Sequence, residues 1–137
     1  MIRTWLGMYA VAAGAFVLID FVWLGFIAKP LYAKHMGDML APQPNMRAAV
    51  LFYAIFVAGL VFFVIAPALE RGSWVWALGA GAFFGLVTYA TWDLTNLAVL
   101  RDFPSSIVPI DMAWGTFLSA AVSLISFLVS RATHLYP

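Results

Sequence analysis

The sequence predicts an all-α integral membrane protein: a four-helix bundle with both termini on the same side. Three observations carry that prediction. Apolar residues make up 65% of the 137-residue chain and charged residues only 9%, whereas a soluble domain carries about 25% charged residues. The mean hydropathy is +0.98, and a chain this short cannot bury so much apolar surface in its own interior, because small folds leave much of their area exposed. Lipid must cover the rest. Finally, four stretches supply the roughly 20 mainly apolar residues that a helix needs to cross the hydrocarbon core.

The four stretches form one transmembrane domain over residues 1–137. The first helix is expected over about 5–28 and ends at Lys29-Pro30; the second spans about 47–66 and stops at Pro67. The third spans about 73–100 and closes at Arg101-Asp102, with Pro104 beyond; the fourth spans about 107–131 and ends at Arg131. Each stop combines a charge or a proline with a turn, as helix ends do. Ala10-Val11-Ala12 has the small residues of a signal-peptide cleavage site, but the apolar run continues well past it, so a retained helix is expected. The loop from Lys29 to Asn45 is the sizeable one, and its first part, Pro30 to Leu40, has the length of a short interfacial helix. Trp5, Trp74 and Trp76 fall near the predicted borders, where indoles anchor.

Charge excludes some functions and leaves orientation open. A net charge of +1 gives no basic field to attract nucleic acid. The absence of cysteine rules out disulfides, thiolate nucleophiles and cysteine metal sites. His35 and His134 lie outside the apolar runs, so a histidine-rich di-iron centre has no ligands. The termini and second loop carry Arg3, Arg71 and Arg131, against Lys29, Lys34, Arg47 and Arg101 in the first and third loops. That near balance assigns no topology by the positive-inside rule.

The informative residues are the acids inside the spans. An aspartate at mid-membrane costs about 2.5 to 3.5 kcal/mol on insertion scales, so Asp20, Asp93 and Asp111 together cost roughly 8 to 10 kcal/mol if additive. No basic residue within the spans offsets this. Because the helices alternate in direction, all three acids fall in the half of the bilayer bordered by the first and third loops. A single shared site is expected. Residues three or four apart share a helical face, which places Phe16, Trp23 and Tyr9 with Asp20, Tyr89 and Asn96 with Asp93, and Trp114 with Asp111. The first and fourth helices repeat a phrase, Ile19-Asp20-x-x-Trp23 and Ile110-Asp111-x-x-Trp114, each followed by a glycine, Gly25 and Gly115. The second helix, with Tyr53 as its chief polar group, reads as lipid-facing scaffold. Ala77, Gly81 and Gly85 allow close helix approach. Ser119, Ser123, Ser126 and Ser130 read as packing residues that bond back to carbonyls, in preference to a polar path.

Such a cluster is expected to hold at least one proton at neutral pH, since burial and a neighbouring carboxylate both disfavour the charged form. It suits proton relay, cation binding or acid–base chemistry, and the adjoining rings suit an organic cation or a flat apolar molecule. Three carboxylates with Asn96 are hard oxygen donors, but they are not packed in one short motif, so no metal and no cofactor is assigned. The binding or proton-relay residues are therefore Asp20, Asp93, Asp111, Asn96, Trp23, Trp114 and Tyr89.

Several phrases resemble a known family. Pro67-Ala68-Leu69, the run Tyr89-Ala90-Thr91-Trp92-Asp93-Leu94-Thr95-Asn96-Leu97-Ala98, Asp111-x-x-Trp114-Gly115 and Asp20-x-x-Trp23-Leu24-Gly25 resemble the bacterial membrane proteins classed as domain of unknown function 2177. Leu94 stands where that family carries tyrosine. The resemblance covers nearly the whole chain. It implies a small multi-pass protein of the bacterial inner membrane with no established activity, and it favours Asp20, Trp23, Asp93, Asn96, Asp111 and Trp114 as the site. The expected function is binding or transport of a proton, cation or amphipathic small molecule, with the bilayer and a small-molecule or lipid ligand as partners and a homodimer plausible. The alternatives are a membrane enzyme acting on an isoprenoid or fatty-acyl lipid, and a structural subunit of a membrane assembly.

Overall fold

A computed structural model describes residues 1–136, and among them no strand forms. The helices are α1 (Ile2–Val22), α2 (Lys29–Met36), α3 (Met46–Leu60), α4 (Ala66–Arg71), α5 (Trp74–Val99) and α6 (Val108–Ala132). They make four rods long and apolar enough to cross a membrane, over Ile2–Met39, Met46–Arg71, Trp74–Val99 and Val108–Ala132. Large apolar side chains such as Leu6, Phe21, Ile55, Phe83 and Phe117 stand exposed along them. A bilayer is the solvent that such a surface requires.

Two of the predicted helix stops do not stop their helices. α1 continues through Lys29-Pro30 into α2, and α3 continues through Pro67 into α4. In both cases a π-helical segment lies immediately upstream, Trp23–Ala28 before Pro30 and Val61–Ile65 before Pro67. Proline lacks an N–H, and its ring presses on the carbonyl four residues back. The wider i→i+5 turn shifts the hydrogen bonds and makes room for the ring, so the rod survives. The expected helix over Pro30–Leu40 is thus present as an extension of the first rod. At 1.5 Å per residue the 38-residue rod is about 55 Å long. That exceeds the roughly 30 Å hydrocarbon core, so the α2 end projects toward the membrane border.

The actual stops are capped. Gly72 takes a left-handed φ of +61° after α4, and the N–H groups of Gly72 and Ser73 donate to the carbonyls of Leu69 and Ala68, a Schellman turn. The Ser73 hydroxyl then accepts from Trp76 N–H at 3.1 Å to start α5, so two residues reverse the chain. Asn45 caps α3 in the same way, accepting from Ala48 N–H at 3.2 Å.

Packing is tightest between α5 and α6, and the small residues explain it. A Cβ placed on Gly81 would lie 2.7 Å from Ser123 Oγ and 2.8 Å from the Ser119 carbonyl. One placed on Gly85 would collide with the Gly115 carbonyl, and one on Gly115 would enter the Tyr89 ring. Ser119, Ser123, Ser126 and Ser130 are fully buried in this seam, and their hydroxyls have no hydrogen-bond partner among the described residues. The expected packing role is seen; the expected back-bonding is not. Threonines do it instead, Thr88, Thr91 and Thr116 each donating to the carbonyl four residues back.

Around the bundle α1 touches α6 and α3, while α3 approaches α5 mainly at its far end, where Gly59 packs on Phe84 and the Val61–Ile65 π-turn follows. Beyond that turn, toward Met46, the α3 and α5 backbones stand apart, bridged by Phe56 against Phe84 and Tyr89. This gap opens beside the acids.

Candidate functional site

In each of three helices an aspartate occupies one more position of a packing stripe. On α1 the buried residues are Met8, Ala12, Phe16 and then Asp20, spaced by four. On α5 the sequence Ala77, Gly81, Gly85, Tyr89, Asp93 keeps the same spacing, and on α6 Asp111, Gly115, Ser119 and Ser123 do so. Residues four apart share a face, so the geometry that buries each stripe also drives its acid inward. Asp93 is 1% exposed, Asp20 8% and Asp111 9%.

Asp20 and Asp111 border a common space, and Asp93 lies beside Asp111. Asp111 lies within hydrogen-bonding reach of Asp93 and is a charge neighbour of Asp20. Tyrosines satisfy the outer oxygens. Tyr53 donates to Asp20 Oδ2 at 2.9 Å, and Tyr32 donates to Asp111 Oδ1. Asp93 Oδ2 is buried without a partner among the described residues, as is Asn96 Nδ2 one turn further along α5.

The repeated Ile-Asp-x-x-Trp phrase acquires a geometric meaning. Trp23 and Trp114 stack face to face, with ring centroids 4.2 Å apart and planes within 7°. Each phrase thus contributes one acid, bonded to one tyrosine, and one half of an indole pair. Stacked aromatics add about 0.5–1.5 kcal/mol beyond their buried area. A double-mutant cycle of Trp23→Ala and Trp114→Ala, read by unfolding in detergent, is expected to give a coupling near 1 kcal/mol. The same cycle with Trp23 and the exposed Trp92 is expected to give almost none.

These groups line an open cavity of about 160 Å³. Its acidic wall is Asp20 and Asp111; its aromatic wall is Trp23, Trp114, Tyr32, Tyr53, Tyr89 and Phe52, and no lysine or arginine lines it. A second cleft of about 350 Å³ shares Phe52, Tyr89 and Asp111 with it and extends past Phe56, Thr88 and Trp92 into the α3–α5 gap. A larger concavity, about 730 Å³, is an apolar groove around Phe63, Trp76 and Phe83 that contains none of the three acids, with Arg71 in its lining stacked 4.1 Å over Trp76.

Of the residues singled out from sequence, Asp20, Trp23, Tyr89, Asp111 and Trp114 line the cavity. Asp93 adjoins it through Asp111, and Asn96 lies outside the lining. Tyr9 points elsewhere, donating to the Ala54 carbonyl at 3.1 Å. The reading of the second helix as lipid-facing scaffold is corrected, because α3 supplies Tyr53, Phe52 and Ala49 to the cavity. Tyr32 was also missed. It sits on α2, which packs Leu31, Tyr32 and Met36 against Phe103, Ile107 and Val108. A 2.7 Å hydrogen bond between His35 Nδ1 and Ser106 Oγ fastens the same helix to the loop before α6. No spacing rule links positions 32 and 111; a tyrosine next to a membrane-border proline was the available signal.

The fold and site define a class: a polytopic α-helical membrane protein whose acids are gathered inside the bundle. The chain belongs to the family of predicted membrane proteins DUF2177, whose model matches residues 5–128. No curated protein and no solved structure matches the chain.

Proposed function

We propose that the protein is a membrane-embedded binding protein or carrier, and that Asp20, Asp93 and Asp111 hold a proton, a cation or the polar end of an amphipathic small molecule. One observation carries this reading: Asp20 and Asp111, from two helices, line a cavity with aromatic walls and no lysine or arginine, and the buried Asp93 of a third helix adjoins Asp111. An ionisable group in a membrane span is costly unless it is used. Tyr53 and Tyr32 give partial compensation, but Asp93 Oδ2 remains unpaired, which is more than pinning helices together requires. In this reading Asp93 and Asp111 share and relay a proton, Asp20 holds the cationic or polar group, and Trp23, Trp114 and Tyr89 form the walls. Asn96 serves as the neighbour that senses the charge on Asp93. The expected setting is the bacterial inner membrane, where a carrier built on so few helices works as a homodimer.

The test is gentle purification from the native membrane, followed by mass spectrometry of co-purifying small molecules. Wild type is expected to carry a specific compound, and Asp93→Asn to carry at least tenfold less of it while remaining folded. Equal occupancy in both proteins contradicts the reading; an empty site in both removes the stably bound small molecule and leaves proton relay.

A further inference from the structure

We infer that the ligand is an amphiphilic organic ammonium ion, held with its head in the aromatic and carboxyl cavity and its tail in the cleft between α3 and α5. This inference rests on the proposed binding role and names the substrate class.

The head follows from the wall chemistry. A cation is attracted to the faces of tryptophan and tyrosine and to carboxylates, and recognition of substituted ammonium groups by aromatic cages is the best-known use of that attraction. Here the aromatic wall consists of Trp23 and Trp114, stacked on each other and so each left with only its outer face, together with Tyr53, Tyr89 and Tyr32, and Asp20 and Asp111 are the acids beside them. Asp20 and Asp111 line this space with no lysine or arginine beside them, so a cation is the charge that would complement the wall. Phosphate, sulfate and carboxylate heads are excluded, since each would face acids with no lysine or arginine in the wall. A small inorganic cation would use the acids but would leave the aromatic walls without a role.

The tail follows from the second cleft. It is walled by Phe52, Phe56, Thr88 and Trp92, and its one charged group, Asp111, lies where it joins the head cavity. Its outer residues face lipid, with Phe52 47% and Trp92 61% exposed. The α3 and α5 backbones do not close over it. A ligand dissolved in the bilayer can therefore enter sideways, tail along the gap and head toward Asp111, without passing through water.

The experiment is a calorimetric titration of the full-length protein in maltoside micelles, with micelle blanks subtracted. The probes are decyltrimethylammonium, decanol, decyl sulfate and tetramethylammonium. Saturable binding of decyltrimethylammonium is expected, with decanol at least tenfold weaker and decyl sulfate not bound. Asp111→Asn is expected to weaken the decyl cation at least tenfold, whereas Glu70→Gln, an exposed acid outside both cavities, leaves it unchanged. Thr88→Phe fills the tail cleft without touching the head cavity; it is expected to weaken the decyl cation but not tetramethylammonium. Decanol binding as tightly as the cation, with both lost in Asp111→Asn, overturns the ammonium class while leaving an amphiphile site in place. Binding of decyl sulfate, or insensitivity of the cation to Asp111→Asn, also overturns it. No saturable binding of any probe, together with no co-purifying compound, removes the stably bound small molecule of the underlying reading as well.

Discussion

Gly115→Ala and Gly85→Ala are each expected to destabilise the protein by about 2–3 kcal/mol, the upper part of the range for overpacking a filled interface. A methyl on Gly115 would enter the Tyr89 ring, and one on Gly85 would meet the Gly115 carbonyl as well as Ser119 Oγ, 2.6 Å away. Both obstacles are backbone or buried ring, which cannot swing aside as a flexible chain end can. The α5–α6 seam must open, and Tyr89 must leave the cavity wall. Gly14 and Gly79 supply the controls, because a Cβ there meets nothing within 4 Å. Alanine at those positions is expected to be neutral or to stabilise by up to about 1 kcal/mol through helix propensity. Unfolding in mixed detergent micelles measures all four. Equal effects at the seam and at the controls would mean that α5 and α6 are not in this close contact.

Asp111→Asn is expected to be the most damaging of the three acid substitutions for ligand binding, about 100-fold against about tenfold for Asp20→Asn, the difference being one extra charged or hydrogen-bonded contact of about 1.4 kcal/mol. Asp111 lines both the cavity and the cleft, accepts from Tyr32 and adjoins Asp93, whereas Asp20 lines the cavity alone and is held by Tyr53. Because Asp93 adjoins Asp111, the effects of Asp93→Asn and Asp111→Asn are expected to be less than additive in the double variant. Titration with decyltrimethylammonium reads the series. Strict additivity across the pair would show that the two carboxyls do not interact.

The fold class and three of the four ligand-side helices were legible because their signals are local. Apolar run length identified the rods, and spacing by three or four grouped Asp20 with Phe16 and Trp23, Asp93 with Tyr89 and Asn96, and Asp111 with Trp114. The alternation of helix direction then put the acids at one depth. Helix continuity at Pro30 and Pro67 was not legible, because the compensating feature is a widened turn of ordinary apolar residues, Trp23–Ala28 or Val61–Ile65, with no composition of its own. Tyr53 has no polar neighbour on its stretch of an apolar helix to mark it, and its value lies in a partner 33 positions away. Tyr32 reaches Asp111 across 79 positions through the docking of α2 on the Phe103–Val108 segment. Both are tertiary facts. The stacking of Trp23 on Trp114 lies between these cases: the repeated phrase marked both residues, while only the α1–α6 packing brings them face to face.

The most direct measurement of the acid site is labelling by a membrane-soluble carbodiimide, which attacks protonated carboxyls in apolar surroundings. Protein in liposomes would be treated, digested and mapped by mass spectrometry, with and without decyltrimethylammonium. The expected result is an adduct on the Asp93–Asp111 pair, suppressed by the cation and lost in the double asparagine variant. Labelling confined to the loop and border acids Asp38, Glu70 and Asp102 would contradict a proton-holding carboxyl cluster open to the bilayer.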